Sequence, residues 1–269
     1  MTKSRRRSSV RIPLTIAGSD PTGGAGLEAD LKVFAAFGLS GAAVATALTE
    51  QDTQAVHAVH AIDAKLVGRR LARLLADVRV AGAKTGLLAS AEQVKVVARL
   101  VREHAIEVLA VDPVLAPTRG RAFLDERGRR ALWRELLPLA TVFTPNLDEA
   151  AALLGSTHAA IAKHPERACR ALLESGAKAV VLKGGHAKGK DAVDLYADAR
   201  RFALLTLPRV RTRPGGVHGT GCALSAALLA LLIGGADPAD AAMVAKRWVR
   251  TAIEHAEPIG SGRARLRLA

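Results

Sequence analysis

The sequence predicts a three-layer α/β fold in which helices cover both faces of a mostly parallel central sheet. Three observations carry that expectation. Strand-type and helix-type segments alternate almost to the end of the 269 residues, with no internal repeat and no long linker, the pattern that generates right-handed βαβ units. The chain is 49 % hydrophobic but only 3 % aromatic, so its core must come from Ala, Val and Leu on regular elements with matched faces. Polar and glycine-rich residues gather at the expected strand ends, where ligands of open parallel sheets bind.

Taken in order, Val10 to Ala17 is an apolar run of strand length. Leu27 to Phe37 places Leu27, Leu31, Phe34 and Ala35 on one helical face and stops at Gly38. Gly41 to Leu48 and Ala55 to Ala61 read as short strands. Asp63 caps a helix to Asp77 whose apolar positions are Leu66, Leu71, Leu74 and Leu75. Ala81 to Thr85 is a strand, and Ser90 with Gln93 three residues on predicts a capping box for a helix to His104. Val108 to Val111 is a strand ending at Asp112-Pro113, Asp125 to Leu136 is helical, and the strand Ala140 to Phe143 ends in Thr144-Pro145-Asn146. Helices follow over Leu147 to Leu154 and Pro165 to Ser175, then a strand, Lys178 to Leu182. Ala192 to Tyr196 and Phe202 to Leu207 predict an antiparallel edge, and two long helices, Thr220 to Ile233 and Pro238 to His255, complete the pattern.

This length suits one large domain, 12–257, flanked by a basic arm, 1–11, expected to be disordered, and a basic tail, 258–269. No run approaches the roughly 20 apolar residues of a membrane span, and no apolar segment follows the basic start as a signal peptide would require. A cytoplasmic location is expected. Cys169 and Cys222 form neither a disulfide framework nor a metal cluster. The net charge of +14 raises nucleic acid as a partner, but the arginines are scattered and no nucleic-acid-binding motif is present, so the charge reads more simply as attraction for phosphate-bearing small molecules.

The residues that carry chemistry sit on one rim. Gly219-Thr220-Gly221-Cys222 precedes an apolar helix; two glycines let backbone N–H groups converge, and the helix start adds positive potential. That is an anion hole suited to a transferring phosphoryl group. Cys222 in the first turn is expected to have a lowered pKa and to serve as base toward a substrate hydroxyl; the alternative is a plain loop with a small core cysteine. Gly18 to Gly26, between a strand and a helix, has neither P-loop nor dinucleotide spacing. Its glycines admit a flat ligand close to the backbone, or merely make a flexible connection, which would leave Asp20 and Asp30 unexplained. Glu149, three residues after Asn146, is either an ordinary helix cap or a holder of Mg²⁺ through water, with Asp112 a second candidate for the metal region. Lys183, at a strand end before two glycines, is placed to reach a phosphate, and His218 to orient the glycine turn that follows it.

Seven ordered motifs, Gly18 to Asp30, Ala47 to Thr53, Lys84 to Leu88, Asp112-Pro113-Val114, Thr144 to Ala150, Lys183 to His186 and His218 to Ala227, span the chain. Together they resemble the hydroxymethylpyrimidine/phosphomethylpyrimidine kinases of thiamine synthesis, in the ribokinase-like superfamily. The resemblance implies two successive transfers from ATP with Mg²⁺, first to 4-amino-5-hydroxymethyl-2-methylpyrimidine and then to its monophosphate. It implies that Gly18, Ala25, Asp30, Thr49, Gln51, Leu87 and Val114 line the pyrimidine pocket, with Asp30 and Gln51 its polar readers. It assigns Lys183, Asn146, Thr220, Gly219 and Gly221 to the ATP phosphates, Glu149 and Asp112 to the metal and Cys222 to the base. A homodimer is also implied, since this fold often dimerises. The chain departs from the family in Leu87, where Met is common, and in Ala116 to Gly120, where a flap lysine is missing and Arg119 stands near. It departs again in Gly216-Val217 before His218, and in its tail. The rival readings are a pyridoxal-type kinase and a non-catalytic pyrimidine-sensing or nucleic-acid-binding protein.

Overall fold

The computed structural model describes residues 11–116, 122–185 and 189–268. Of the arm expected to be disordered, 1–11, residues 1–10 lie outside them, as do Arg119 and His186. Strand β1 (Ile12–Ser19) leads through helix α1 (Gly26–Ala36) to β2 (Ala42–Gln51), which turns back into β3 (Val56–Ala61). Helix α2 (Ala64–Asp77), β4 (Val80–Thr85), α3 (Ala91–Glu103) and β5 (Leu109–Val111) follow, then α4 (Glu126–Ala131) and β6 (Val142–Phe143). Helices α5 (Leu147–Leu154), α6 (His158–Lys163) and α7 (Pro165–Glu174) precede β7 (Ala179–Leu182), β8 (Asp191–Asp198) and β9 (Phe202–Pro208). Last come β10 (Val217–His218), α8 (Thr220–Ile233), α9 (Pro238–Glu254) and β11 (Ala264–Arg265).

Nine strands make one sheet in the order β3-β2-β1-β4-β5-β6-β7-β8-β9. From β2 across to β7 every pairing is parallel, and β3, β8 and β9 add antiparallel edges. The chain steps from β1 out to β2 and β3, then returns to β4 on the other side of β1, which puts a crevice at the carboxyl end of β1. Strand alternation splits the core in two. Leu109, Val111, Val180 and Leu182 face one cluster with α2, α3, α5 and α7, while Ala110, Ala179 and Val181 face the other with α1, α8 and α9.

Helix α8 is buried on nearly every side from Ala223 to Leu232. It presses so close to the sheet that a Cβ on Gly82 of β4 would lie 2.8 Å from the Ile233 side chain and 3.0 Å from that of Leu229. This packing fixes the helix start above the strand ends.

Three elements differ from the sequence expectation. Ser90 caps α3 as predicted, accepting the Gln93 N–H at 3.1 Å, but Gln93 does not complete the box. Its fully buried amide instead accepts from Ala89 N–H and donates to the Thr46 and Ile62 carbonyls, at 2.7, 2.8 and 2.7 Å, because a buried amide must satisfy its whole donor set. The expected helix to Leu136 is α-helical only to Ala131 and then widens into a π-helical turn, Leu132–Leu136, ahead of Pro138, which cannot continue the α ladder. The tail is held: Ala264 and Arg265 pair in parallel with Val217 and His218, and Leu266 and Leu268 are buried beside α8 and α9. No helix among the described residues is long and apolar enough to cross a membrane. Because Leu266 is only 3 % exposed, Leu266→Ala should lower stability by about 2–5 kcal/mol, read as a lower urea midpoint at unchanged m-value; a midpoint at the wild-type value would show that the tail contributes nothing to the core.

Candidate active site

The carboxyl ends of β1, β4, β5, β6 and β7 open into a cleft of about 760 Å³. Its first wall is the β1–α1 loop. Gly26 has φ of +60°, and a Cβ there would lie 2.3 Å from the Gly18 carbonyl oxygen, so only glycine closes this turn. Asp20 organises the loop: its carboxylate accepts from Thr22 N–H, the Thr22 hydroxyl and Ala25 N–H, each at 2.8 Å, and from His218 Nε2 at 3.0 Å. Burial opposes its charge, but hydrogen bonds from His218, Gln51 and Thr22 outweigh that and hold the carboxyl well below the usual range. Gly18, Ala25, Thr49, Gln51, Leu87 and Val114 all face the cleft. The Thr49 hydroxyl is anchored by donating to the Ser19 carbonyl at 2.8 Å.

Asp30 does not join them. The sequence expectation of a polar reader is corrected by its position one turn into α1, where it is fully buried under the floor. There it accepts from Lys84 Nζ at 2.9 and 2.7 Å and from the Thr15 hydroxyl at 2.6 Å. A carboxylate at that depth needs a cation, and the neighbouring β4 strand supplies one. Lys84 reaches the cleft floor; sequence reasoning passed over it, although a lone lysine inside the apolar strand Val80–Thr85 was itself a signal that a buried anion lay opposite.

The second wall is the glycine turn before α8. Gly219 has φ of +80°, and a Cβ there would lie 1.7 Å from the Gly24 carbonyl oxygen. The turn and the first loop are therefore in backbone contact, and Gly219, Thr220, Gly221 and Cys222 line the same cleft as the β1–α1 loop. His218 orients the junction through Asp20. The expected lowering of the Cys222 pKa is not what the environment gives: burial pushes the thiol up to about 11, with Asp112 and Asp30 adding to the rise and Lys84 opposing it. The helix start cannot offset desolvation together with nearby carboxylates.

A charged corner closes the far side. Lys183 Nζ lies 2.8 Å from Asp112 Oδ1 and 3.9 Å from Glu149 Oε2. Thr144 and Ser225 hydroxyls donate to Asp112 at 3.1 and 3.3 Å, partners that the sequence did not single out. Burial opposes the charge on Lys183, yet the Asp112 and Glu149 carboxylates outweigh it and hold the ammonium above its usual range. Asn146 and Glu149 do form a capping box, with Glu149 N–H donating to Asn146 Oδ1 at 2.8 Å and Asn146 N–H to Glu149 Oε2 at 2.7 Å. They are cap and cleft residues at once, since both also face the cavity. Burial, with Asp112 and Asp148 close by, pushes Glu149 up to about 7 against the pull of Lys183. Such a corner is short of positive charge and can take up a cation or a proton.

The placement of Asp30 has a direct consequence. Asp30→Asn leaves the fully buried Lys84 without its counter-charge, so stability should fall by roughly 3–5 kcal/mol in chemical denaturation. A variant of wild-type stability with a defect confined to small-molecule binding would restore Asp30 to the pocket wall.

Against this geometry, the profile of the phosphomethylpyrimidine kinase family matches residues 20–267. The chain is 41 % identical to the hydroxymethylpyrimidine/phosphomethylpyrimidine kinase of Rhizobium meliloti over 94 % of each chain. Its fold is similar to that of a Bacillus subtilis pyridoxal kinase solved as an ADP complex, with a TM-score of 0.86, 32 % identity and coverage of 96 % and 97 % of the two chains. It is also similar to a Clostridium difficile phosphomethylpyrimidine kinase, with a TM-score of 0.77, 33 % identity and coverage of 90 % and 100 %. The ribokinase-like architecture thus goes with a sequence match over nearly the whole chain, and the chain belongs to the phosphomethylpyrimidine kinase family.

Proposed function

We propose that the protein transfers the γ-phosphoryl group of ATP to the hydroxymethyl group of 4-amino-5-hydroxymethyl-2-methylpyrimidine, and then a second phosphoryl group to the monophosphate. The observation that carries this reading is the contact between Gly24 and Gly219. It makes one cleft of an acceptor wall that includes Gly18, Leu87 and Val114 and a turn of backbone donors suited to a phosphate. In the proposed reaction the ring lies against Gly18, Ala25 and Leu87, with Thr49 and Gln51 reading its polar edge. The acceptor oxygen attacks the γ-phosphorus in line, ADP leaves, and the charge on the transferring oxygens is met by the N–H groups of Gly219 to Cys222 and by Lys183.

Cys222 takes the hydroxyl proton. To do so it must enter as thiolate, the form that Lys84 favours and that burial and Asp112 oppose. A divalent cation with the nucleotide, Mg²⁺ in this proposal, fits the Asp112–Glu149 corner. Two buried carboxylates share one ammonium there, Glu149 is raised to about 7 for want of positive charge, and Mg²⁺ commonly binds one or two carboxylates plus phosphate oxygens. Among the described residues no group of three or more His, Cys, Asp or Glu side chains forms a closed metal cage, so the phosphates would complete its shell. Bound there, the cation would neutralise charge on the phosphates.

A pyridoxal-type acceptor is the second reading, favoured by the 0.86 TM-score to a pyridoxal kinase. Turnover compared with the two rings decides between them, and a wide preference for pyridoxal would displace the pyrimidine. Cys222→Ala should reduce kcat by about 10²-fold or more, as loss of a general base does; near-normal turnover in the folded variant would remove Cys222 from the chemistry. Glu149 should be protonated below about 7 in the free enzyme. The kcat/KM for ATP should therefore show an inflection near pH 7 as the carboxylate forms, on top of the rise that the Cys222 thiolate gives up to about 11, and Glu149→Gln should remove that inflection; an unaltered profile in the variant assigns the titration to another group.

A further inference from the structure

The chain after α9 folds into a closed loop that touches three parts of the cleft. Glu257 and Arg265 exchange two backbone hydrogen bonds, each of 2.8 Å, and so close the base of the loop. At that base Ala264 and Arg265 pair in parallel with Val217 and His218, and Ala264 N–H donates to the Gly216 carbonyl at 3.2 Å. The Arg265 stem also reaches the β1–α1 loop, where its Cγ would lie 3.6 Å from a Cβ on Gly24, the residue whose carbonyl meets Gly219. Leu266 and Leu268 sink the chain that follows into the core. The tip of the loop meets the β2–β3 turn: Arg263 N–H donates to the Thr53 carbonyl at 2.8 Å, Gly262 N–H to the Thr53 hydroxyl at 3.0 Å, and the Gln54 amide to the Ser261 hydroxyl at 2.8 Å.

The two parts that this loop joins get little support from the main sheet. β3 is its edge strand, and Asp52, Gln54 and Ala55 in the turn before β3 are exposed, so the turn has little packing of its own. β10 lies outside the nine-stranded sheet and pairs with β11. Yet alignment in the proposed reaction depends on these parts. The turn follows directly on β2, which carries Thr49 and Gln51, and β10 runs straight into Gly219. Contact between tip and turn has no slack: a Cβ on Gly262 would lie 2.1 Å from the Thr53 carbonyl oxygen and 2.7 Å from the Gln54 nitrogen. Gly262 does not use a positive φ, so glycine serves close approach here rather than backbone conformation.

We propose that the Thr53–Gly262 contact is a positioning contact for phosphoryl transfer: through it the loop sets Thr49 and Gln51 relative to the Gly219 turn, and so aligns the acceptor hydroxyl with the γ-phosphate. This rests on the function proposed above. The loop need touch neither ligand to act in this way. Reacting groups must meet in a narrow range, and a displacement of about 1 Å, which a methyl group on Gly262 would force, can cost up to about 10²-fold in rate.

Gly262→Ala is the direct test. It is read by urea denaturation, by calorimetric titration with hydroxymethylpyrimidine and separately with a non-hydrolysable ATP analogue, and by steady-state kinetics with hydroxymethylpyrimidine and ATP. The variant should keep its urea midpoint, since Leu266 and Leu268 stay in place, and should bind each ligand alone with nearly wild-type affinity, because each wall keeps its own groups. Its kcat should fall by on the order of tenfold or more. Thr53→Ala, which removes the acceptor for Gly262 N–H, should lower kcat in the same direction, and Thr53→Ser should restore most of it. A wild-type kcat in folded Gly262→Ala overturns the inference. So does a loss that lies in acceptor affinity instead of kcat, which would make the loop a direct ligand contact. A lower urea midpoint with kcat per folded molecule unchanged overturns it as well, since the loop would then be a structural clamp only. Should Gly262→Ala not fold, the Thr53 pair decides: equal turnover in Thr53→Ala and Thr53→Ser counts against the proposal. A wild type that does not phosphorylate hydroxymethylpyrimidine overturns the proposed function and this inference with it, whereas an active wild type with unaltered variants sinks the inference alone.

Discussion

Everything in the cleft depends on two loops touching. The Gly24 carbonyl sits where a side chain on Gly219 would begin, and Asp20 and His218 clasp across the same junction at 3.0 Å. Both loops are rich in glycine and so lose much freedom on ordering. Each becomes the other's support. The close packing of α8 on β4 at Gly82 helps fix the turn before α8, and the short β1–α1 connection fixes the other loop. The β1–α1 loop and the glycine turn then form two walls of one cleft.

Beneath this junction the chain spends buried charge in pairs. Lys84 with Asp30, Lys183 with Asp112 and Lys246 with Asp194 each set one ammonium against one carboxylate in or near the cleft. A buried pair of this kind adds little to stability over an apolar replacement, but removing one member is costly. The pairs therefore act less as stabilisers than as fixed dipoles. Asp194 shows the structural use: it accepts the Gly184 N–H at 2.8 Å while holding Lys246, so α9 is linked to the loop that carries Lys183.

The C-terminal segment gives the cleft a third side. A stretch that reads as a basic, featureless tail carries two buried leucines, a parallel pairing with β10 and a set of hydrogen bonds to Thr53 and Gln54. It makes the β2–β3 turn and β10 parts of one object, although more than 150 residues separate them in the chain. Coupling of that kind follows from a shared rigid neighbour rather than from any direct contact between the two walls.

Composition and periodicity alone determined the layered α/β architecture, since alternating segments with aliphatic faces have few other ways to bury them. The glycine turns and the polar strand ends likewise marked the rim that carries the site. Ordered motifs fixed the family, because residues near in sequence report local backbone shape directly. What the sequence left open were the long-range partners. That Asp30 turns down to Lys84 rather than out to a ligand, that Gln93 serves β2 instead of its own helix cap, that Cys222 is raised rather than lowered, and that the tail becomes a strap were all decided in three dimensions. Each depends on which group, tens of residues away, lies within a few ångströms once the helices are packed. Desolvation and charge pairing act on that distance alone, and no local pattern of residues encodes it.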